Sequence, residues 1–191
     1  MWAAYFIFWS VVNLKQLMRM DNPWRPVQIV LIFQCLMIAF FFIIRKPAKT
    51  TSWSFYDFII SSVGTFTPYL FMPVNHGTPN LAGEILQVVG SLMTLSAFLS
   101  LRRSIGFLPA NRGIQSQGLY RIIRHPVYLS YQIFHTGYLL NQWSTRNLII
   151  CVVGVTAEIL RIFAEEKLLL KDSEYAAYAQ TVKWRLIPFI F

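Results

Sequence analysis

The sequence predicts an all-α fold, a polytopic transmembrane helix bundle of five to six membrane segments with a charged pocket at its C-terminal, cytosolic end. Three observations lead there. Of the 191 residues, 55% are hydrophobic and 13% charged, whereas charged residues make up about a quarter of a soluble chain. The mean hydropathy is +0.48, and the apolar residues fall in long blocks rather than amphipathic stripes. The Lys and Arg residues behind the net charge of +9 sit at the ends of those blocks, as membrane flanks require. No basic stripe extends beyond the flanks, which argues against nucleic acid.

A membrane-crossing helix needs about 20 predominantly apolar residues. Residues 1–17 are a marginal span that lies tilted or partly in the interface, and their lack of a basic leader and a small-residue cleavage site argues against a removable signal. Residues 26–44 form a clearer span, closed by Arg45, Lys46 and Pro47. The third, 53–74, contains Pro68, which is expected to kink it. A turn, NHGTPN, follows at 75–80. The fourth span, 81–101, repeats small residues at Gly83, Gly90, Thr94 and Ala97, which let a neighbouring backbone approach closely.

A loop over 102–124 carries five arginines and no acid. Two shorter apolar runs, 127–142 and 148–163, then read as a helical hairpin. A short amphipathic helix and an apolar tail end the chain. The positive-inside rule places the arginine-rich loop, the loop at 45–52 and the C-terminal segment in the cytoplasm. The loop at 15–26 then falls outside although it holds three basic residues. No repeat or linker divides the chain. It reads as one membrane domain, with helices in 1–80 and the chemically interesting part in 81–191.

That part holds two charged clusters. The first is GLYRIIRHPVY, residues 118–128; the second is RIFAEE, residues 161–166, at the far end of the last apolar run. Steps of three and four put Glu158, Arg161 and Glu165 on one helical face, with Glu166 turned away. Ionisable groups at membrane depth are costly and mark function by default. Pro126 disfavours helix at His125, so the backbone is expected to turn there and free polar groups for a ligand. His135 stands apart inside an apolar run and reads as structural. Three histidines without H-x-x-x-H or H-E-x-x-H spacing argue against a metal site. Cys35 and Cys151 lie inside apolar blocks and form no framework.

These motifs resemble a known family. Gly118-Leu119-Tyr120 is followed by Arg124-His125-Pro126-x-Tyr128, then Arg161-x-x-x-Glu165-Glu166. Tyr175-x-x-Tyr178-x-x-x-Val182-x-x-Arg185-Leu186-Ile187-Pro188 closes the chain. Together they are similar to the membrane methyltransferases, namely the isoprenylcysteine carboxyl methyltransferases and the related phospholipid methyltransferases. The resemblance covers about residues 80–191. It implies S-adenosylmethionine as methyl donor, bound on the cytosolic side, and a lipophilic acceptor that arrives from the bilayer. By motif, Arg112, Gly113, Ile114, Gln115, Tyr120, His125, Pro126, Val127, Tyr128 and Glu165 would line the cofactor pocket, and Arg161 would hold the acceptor's head. One departure is that the family's phenylalanine-glycine between the glutamate pair and the following tyrosine is missing here.

The implied roles suit the residue types. A carboxylate accepts from ribose hydroxyls or an ammonium, and a bidentate arginine suits a carboxylate acceptor. Such an acceptor is already ionised at neutral pH and needs no base. An amine acceptor must first lose a proton, with Glu158 or Glu166 as the candidate base. A soluble nucleotide-binding fold is argued against, because no G-x-G-x-x-G follows a strand pattern. Two other readings stand beside methylation. The closing WRLIPFIF also resembles membrane sterol reductases, which use NADPH, and the charged face would serve a non-catalytic partner as a docking surface.

Overall fold

The computed structural model describes residues 2–18, 26–72, 74 and 80–191. Most of the loop at 15–26 and of the turn at 75–80 lies outside the described residues. Among the described residues seven α-helices appear: α1 (Trp2–Met18), α2 (Pro26–Ile44), α3 (Phe55–Phe66), α4 (Leu81–Leu101), α5 (Pro126–Asn141), α6 (Thr145–Leu169) and α7 (Ser173–Thr181). The fold is not wholly helical. Thr50–Thr51 (β1) pairs antiparallel with Ala110–Asn111 (β2) and joins the two basic loops.

Local chemistry sets the helix ends. The Asn80 side chain caps α4 by accepting from the amides of Ala82 and Gly83, and Ser144 caps α6 by accepting from Asn147 N. Pro68 produces no kinked α-helix. α3 stops at Phe66, and a 3₁₀ turn, Thr67–Leu70, carries the proline at its start, where a missing N–H costs nothing. α6 begins three residues before the expected run and continues to Leu169, so the helix does not end at the glutamate pair.

The first six helices form a ring. α1 packs on α2, α2 on α4, α4 on α5, α5 on α6, and α6 on α3. Aromatic contacts close the ring between α1 and the α3 region, with Tyr5 5.2 Å from Phe66 and 5.4 Å from Tyr69. The small residues of α4 do what their spacing predicts. A Cβ on Gly90 would lie 2.7 Å from Phe134 N and 2.8 Å from Ser130 O, so only glycine lets α5 come this close. Beside it, the Thr94 and Ser130 hydroxyls meet at 2.8 Å.

Among the described residues, two helices, Leu81–Ser104 and Thr145–Leu169, are long and apolar enough to cross a membrane, and Ile29–Ile44 is a shorter apolar helix. Large apolar side chains stand exposed on the outside of the ring, among them Phe33, Phe40, Leu92, Leu99 and Val152. Such an outward surface suits lipid rather than water.

The basic loops gather at one end. Arg103 Nε donates to Ile44 O at 2.7 Å, Lys49 N to Asn111 O at 2.7 Å, and Trp2 stacks on Phe107 at 3.8 Å. At the other end Met72 N donates to Asn147 Oδ1 and Val74 N to Gln142 Oε1. A core of Phe6, Ile38, Ala39, Phe41, Phe98 and Ile105 locks α1, α2 and α4 together at the basic end.

Candidate active site

The ring encloses a cavity of about 1030 Å³, walled by residues from all six helices and by the loop between α4 and α5. Ligand pockets usually measure roughly 300–1,000 Å³, so this one has room for a cofactor and part of a second molecule.

The loop after α4 is folded by short polar contacts. Gly113 (φ +94°) and Gly118 (φ +60°) adopt left-handed conformations that favour glycine. Gly113 N donates to Asn111 Oδ1 at 3.0 Å, and Ser104 Oγ donates to Arg112 O at 3.1 Å and accepts from Gln115 Nε2 at 3.2 Å. Arg112 Nη1 donates to Lys46 O. Burial, and the nearby Arg45, lower the Arg112 pKa. Arg112, Gly113, Ile114 and Gln115 thereby face the cavity as a continuous wall.

At His125 the backbone leaves helical geometry (φ −127°, ψ 59°), as the following proline requires. The expectation that its N–H groups would be free is corrected. Arg124 N donates to Trp184 O at 2.9 Å and His125 N to Arg185 O at 2.8 Å. The C-terminal segment takes these groups, because it lies alongside as a strand-like partner.

Side chains from α5, α6 and α7 then form two adjoining networks. In the first, Glu165 Oε1 accepts from Tyr128 OH at 2.7 Å and from Arg161 Nε at 3.1 Å. Arg161 also donates to Thr65 Oγ1 at 3.3 Å and to Gly106 O at 3.1 Å, and its guanidinium lies 5.7 Å from the centre of the Tyr128 ring. In the second, Glu166 Oε1 meets His125 Nε2 at 2.9 Å and Arg124 Nε at 2.9 Å, and accepts from Tyr175 OH at 2.7 Å. Arg185 Nε stands 3.6 Å from Glu166 Oε2. His125 joins the two networks, since its Nδ1 is 3.7 Å from Glu165 Oε2.

Three tyrosines complete the basic end. Tyr178 OH donates to Tyr120 O at 2.7 Å. Burial pushes the Tyr178 phenol up to about 12 and raises those of Tyr120 and Tyr175 as well. All three are neutral hydroxyls at physiological pH, and those of Tyr175 and Tyr178 act as hydrogen-bond donors.

The cavity wall contains Arg112, Gly113, Ile114, Gln115, Tyr120, His125, Val127, Tyr128, Arg161 and Glu165. Of the residues that the motifs singled out for the pocket, Pro126 does not line it. It is fully buried as the first residue of α5, where its ring starts the helix. His135, set aside as structural, lines the same cavity and is 4% exposed. Thr65 and Gly106, which orient Arg161, carry no signal in the sequence. Glu166 faces away from Arg161, as its spacing indicates, and is occupied by the clasp on the C-terminal segment.

An apolar ring of helices around a buried, charged cavity is the architecture of a membrane protein. A family model described as phospholipid methyltransferase matches residues 79–175, a span with both charged clusters and the cavity wall at residues 112–115. The chain belongs to the phospholipid methyltransferase family, which agrees with the resemblance carried by RHPVY and the glutamate pair and makes it a membrane methyltransferase. No curated protein matches the chain.

Proposed function

We propose that the chain transfers a methyl group from S-adenosylmethionine to the polar head of a lipophilic acceptor. In this reading the six-helix ring spans the membrane with its basic end in the cytoplasm, as the positive-inside rule favours. The observation that supports it is the common cavity. The residues matched to the family's cofactor segment and Arg161 share a wall, and that wall continues into the apolar interior of the ring.

The donor set suits the cofactor. Glu165 Oε2 accepts no hydrogen bond from the described residues and offers an oxygen to a ribose or an ammonium. Arg112 and Gln115 supply donors for a carboxylate, and Tyr120 and Tyr128 supply aromatic faces. The bound cofactor would supply an electrophilic methyl group. The chain's own contribution is to hold the acceptor and exclude water. Three of the five N–H groups of Arg161 are engaged by Glu165, Thr65 and Gly106, which leaves two for an acceptor oxygen. A head held at that point is aimed by a side chain that cannot turn.

The first acceptor class is a carboxylate, as in carboxyl O-methylation of a prenylated cysteine or a small isoprenoid acid. It would sit on Arg161 and needs no base. The second is an amine, as in phospholipid N-methylation. The carboxyl group of Glu158 favours it, because it lines the cavity with no hydrogen-bond partner among the described residues. A sterol-reductase reading lacks comparable support, since the family match is to methyltransferases.

Ligand-induced stabilisation tests the function. S-adenosylhomocysteine should raise the melting temperature of the detergent-solubilised protein, by about 2.7 kcal/mol of added stability at a hundredfold excess over Kd. NADPH should not. The reverse pattern would favour the reductase, and no shift with either would favour a non-catalytic partner. Mass spectrometry of lipids and prenylated peptides incubated with labelled S-adenosylmethionine then identifies the acceptor.

A further inference from the structure

We infer that Glu158, with the Gln132 amide beside it, is the group that receives the acceptor's head as an ammonium and takes its proton. This rests on the methyltransferase reading above and assigns a further catalytic residue within it.

α6 carries three carboxylates, and the structure separates their roles. Glu165 is bonded to Tyr128 and Arg161. Glu166 is held by His125, Tyr175 and Arg124, with Arg185 facing its second oxygen. Glu166 is engaged by the clasp, and the free oxygen of Glu165 is the one the cofactor takes in that reading. Glu158 is 1% exposed, yet neither of its oxygens has a hydrogen-bond partner among the described residues. Gln132 stands beside it on α5 without closing a bond, and its Nε2 is also buried and unpartnered. A buried carboxyl group with no partner is costly, and fold stability gives no reason to keep one. Glu158 lines the cavity, so the missing partner can come from there.

Charge indicates what that partner is. Arg161 is neutralised by Glu165 at 3.1 Å. Glu158, three residues away and about 4.5 Å along the helix axis, keeps both oxygens without a cation or other partner among the described residues. An ammonium there would supply the counter-charge that favours the carboxylate form, and a second carboxylate would not. The two free N–H groups of Arg161 can still take an oxygen of the same head. The pair therefore fits a head group with an amine and an anionic oxygen a few atoms apart. The ionisable groups acting on Glu158 are Arg161 and Cys151 on its own helix and Tyr131 on α5.

The proton balance is simple. The Glu158 carboxylate accepts one proton from the ammonium and becomes a neutral acid, and the amine keeps its lone pair for the electrophilic methyl carbon of a sulfonium donor. When that C–S bond breaks, the sulfur keeps the bonding pair and leaves as a neutral thioether. The methylated nitrogen carries the positive charge until it is released.

The test uses Glu158→Gln, which keeps shape and removes charge, and Gln132→Met as a second variant. Binding of S-adenosylhomocysteine, dodecylamine and laurate to the full-length protein is measured by calorimetry in detergent. Glu158→Gln should bind S-adenosylhomocysteine within twofold of the unsubstituted protein and dodecylamine at least ~10-fold more weakly, with laurate unchanged or tighter. Gln132→Met should weaken dodecylamine by a smaller factor. Turnover of an amine lipid should fall by about 100-fold in Glu158→Gln, and the acid limb of its pH profile should disappear. Equal dodecylamine binding by Glu158→Gln and the unsubstituted protein, or a preference of the unsubstituted protein for laurate over dodecylamine, would overturn the assignment while leaving the methyltransferase reading intact. Failure of the unsubstituted protein to bind S-adenosylhomocysteine would remove both. A folded Glu158→Gln, shown by an unchanged or higher melting temperature, keeps the comparison valid.

Discussion

Arg161 Nε lies 3.1 Å from Glu165 Oε1, one turn along α6. The guanidinium is thus fixed on its own helix before any ligand arrives, and Thr65 and Gly106 fix its other edge. A side chain held at three points loses little freedom on binding.

Arg161→Ala should therefore cost acceptor turnover far more than cofactor affinity. We expect a loss of about 100-fold in kcat/KM, with the Kd for S-adenosylhomocysteine changed less than threefold. An unchanged rate would remove Arg161 from the site. Glu165→Ala should show the converse bias, with weakened cofactor binding by calorimetry. Unaltered binding there would move the cofactor contact elsewhere on the wall.

The clasp around Glu166 predicts a structural phenotype. Glu166→Gln leaves Arg124 and Arg185 without their counter-charge in a buried place, where Glu166 is 3% exposed. Breaking a buried pair from one side costs about 3–5 kcal/mol. The melting temperature should drop, and limited proteolysis should cut the segment after residue 181 faster than in the unsubstituted chain.

Asp172 predicts a pH dependence. Its carboxylate is held below the ordinary range, first by the hydrogen bond from Asn111 Nδ2 at 2.6 Å, then by Glu174 N, and also by Lys49. The folded-state value is depressed, so the stabilisation is complete above the unfolded value of about 3.9. It is lost as pH falls through the folded value. Melting curves between pH 6 and pH 2 should show a decline that is smaller in Asp172→Asn. Identical slopes in the two proteins would dismiss this contact as a source of acid sensitivity.

Gly90→Ala tests the ring itself. The added methyl would meet backbone atoms of α5 at 2.7 and 2.8 Å, and backbone cannot step aside as a flexible side chain can. Overpacking of this kind costs about 1–3 kcal/mol. A melting temperature equal to that of the unsubstituted protein would mean that α4 and α5 are less closely packed than described.

Local rules made much of this protein legible from residues alone. The apolar blocks gave α2 at Pro26–Ile44 and α4 at Leu81–Leu101 as read, whereas 53–74 holds α-helix only over Phe55–Phe66 and the last run extends to Leu169. Steps of three and four put Glu158, Arg161 and Glu165 on one face, and all three line the cavity. The RHPVY and glutamate-pair motifs pointed to the family that the family match shows. Pro68 was legible as an interruption but not as a 3₁₀ turn, because that choice depends on how the turn packs against α6.

The sequence by itself determined which segments are helical, which face of α6 is charged and which family the chain resembles. Tertiary structure alone decided what those charges touch. Thr65 and Gly106 reach Arg161 across 96 and 55 residues, and no local period encodes either contact. Ring closure put His135 on the cavity wall, where its place in an apolar run suggested only burial. It also gave partners to Glu165 and Glu166 but, among the described residues, no hydrogen-bond partner to Glu158. Helical spacing is a property of neighbouring residues, whereas the partner of a buried charge is set by which distant segments the closed ring brings against it.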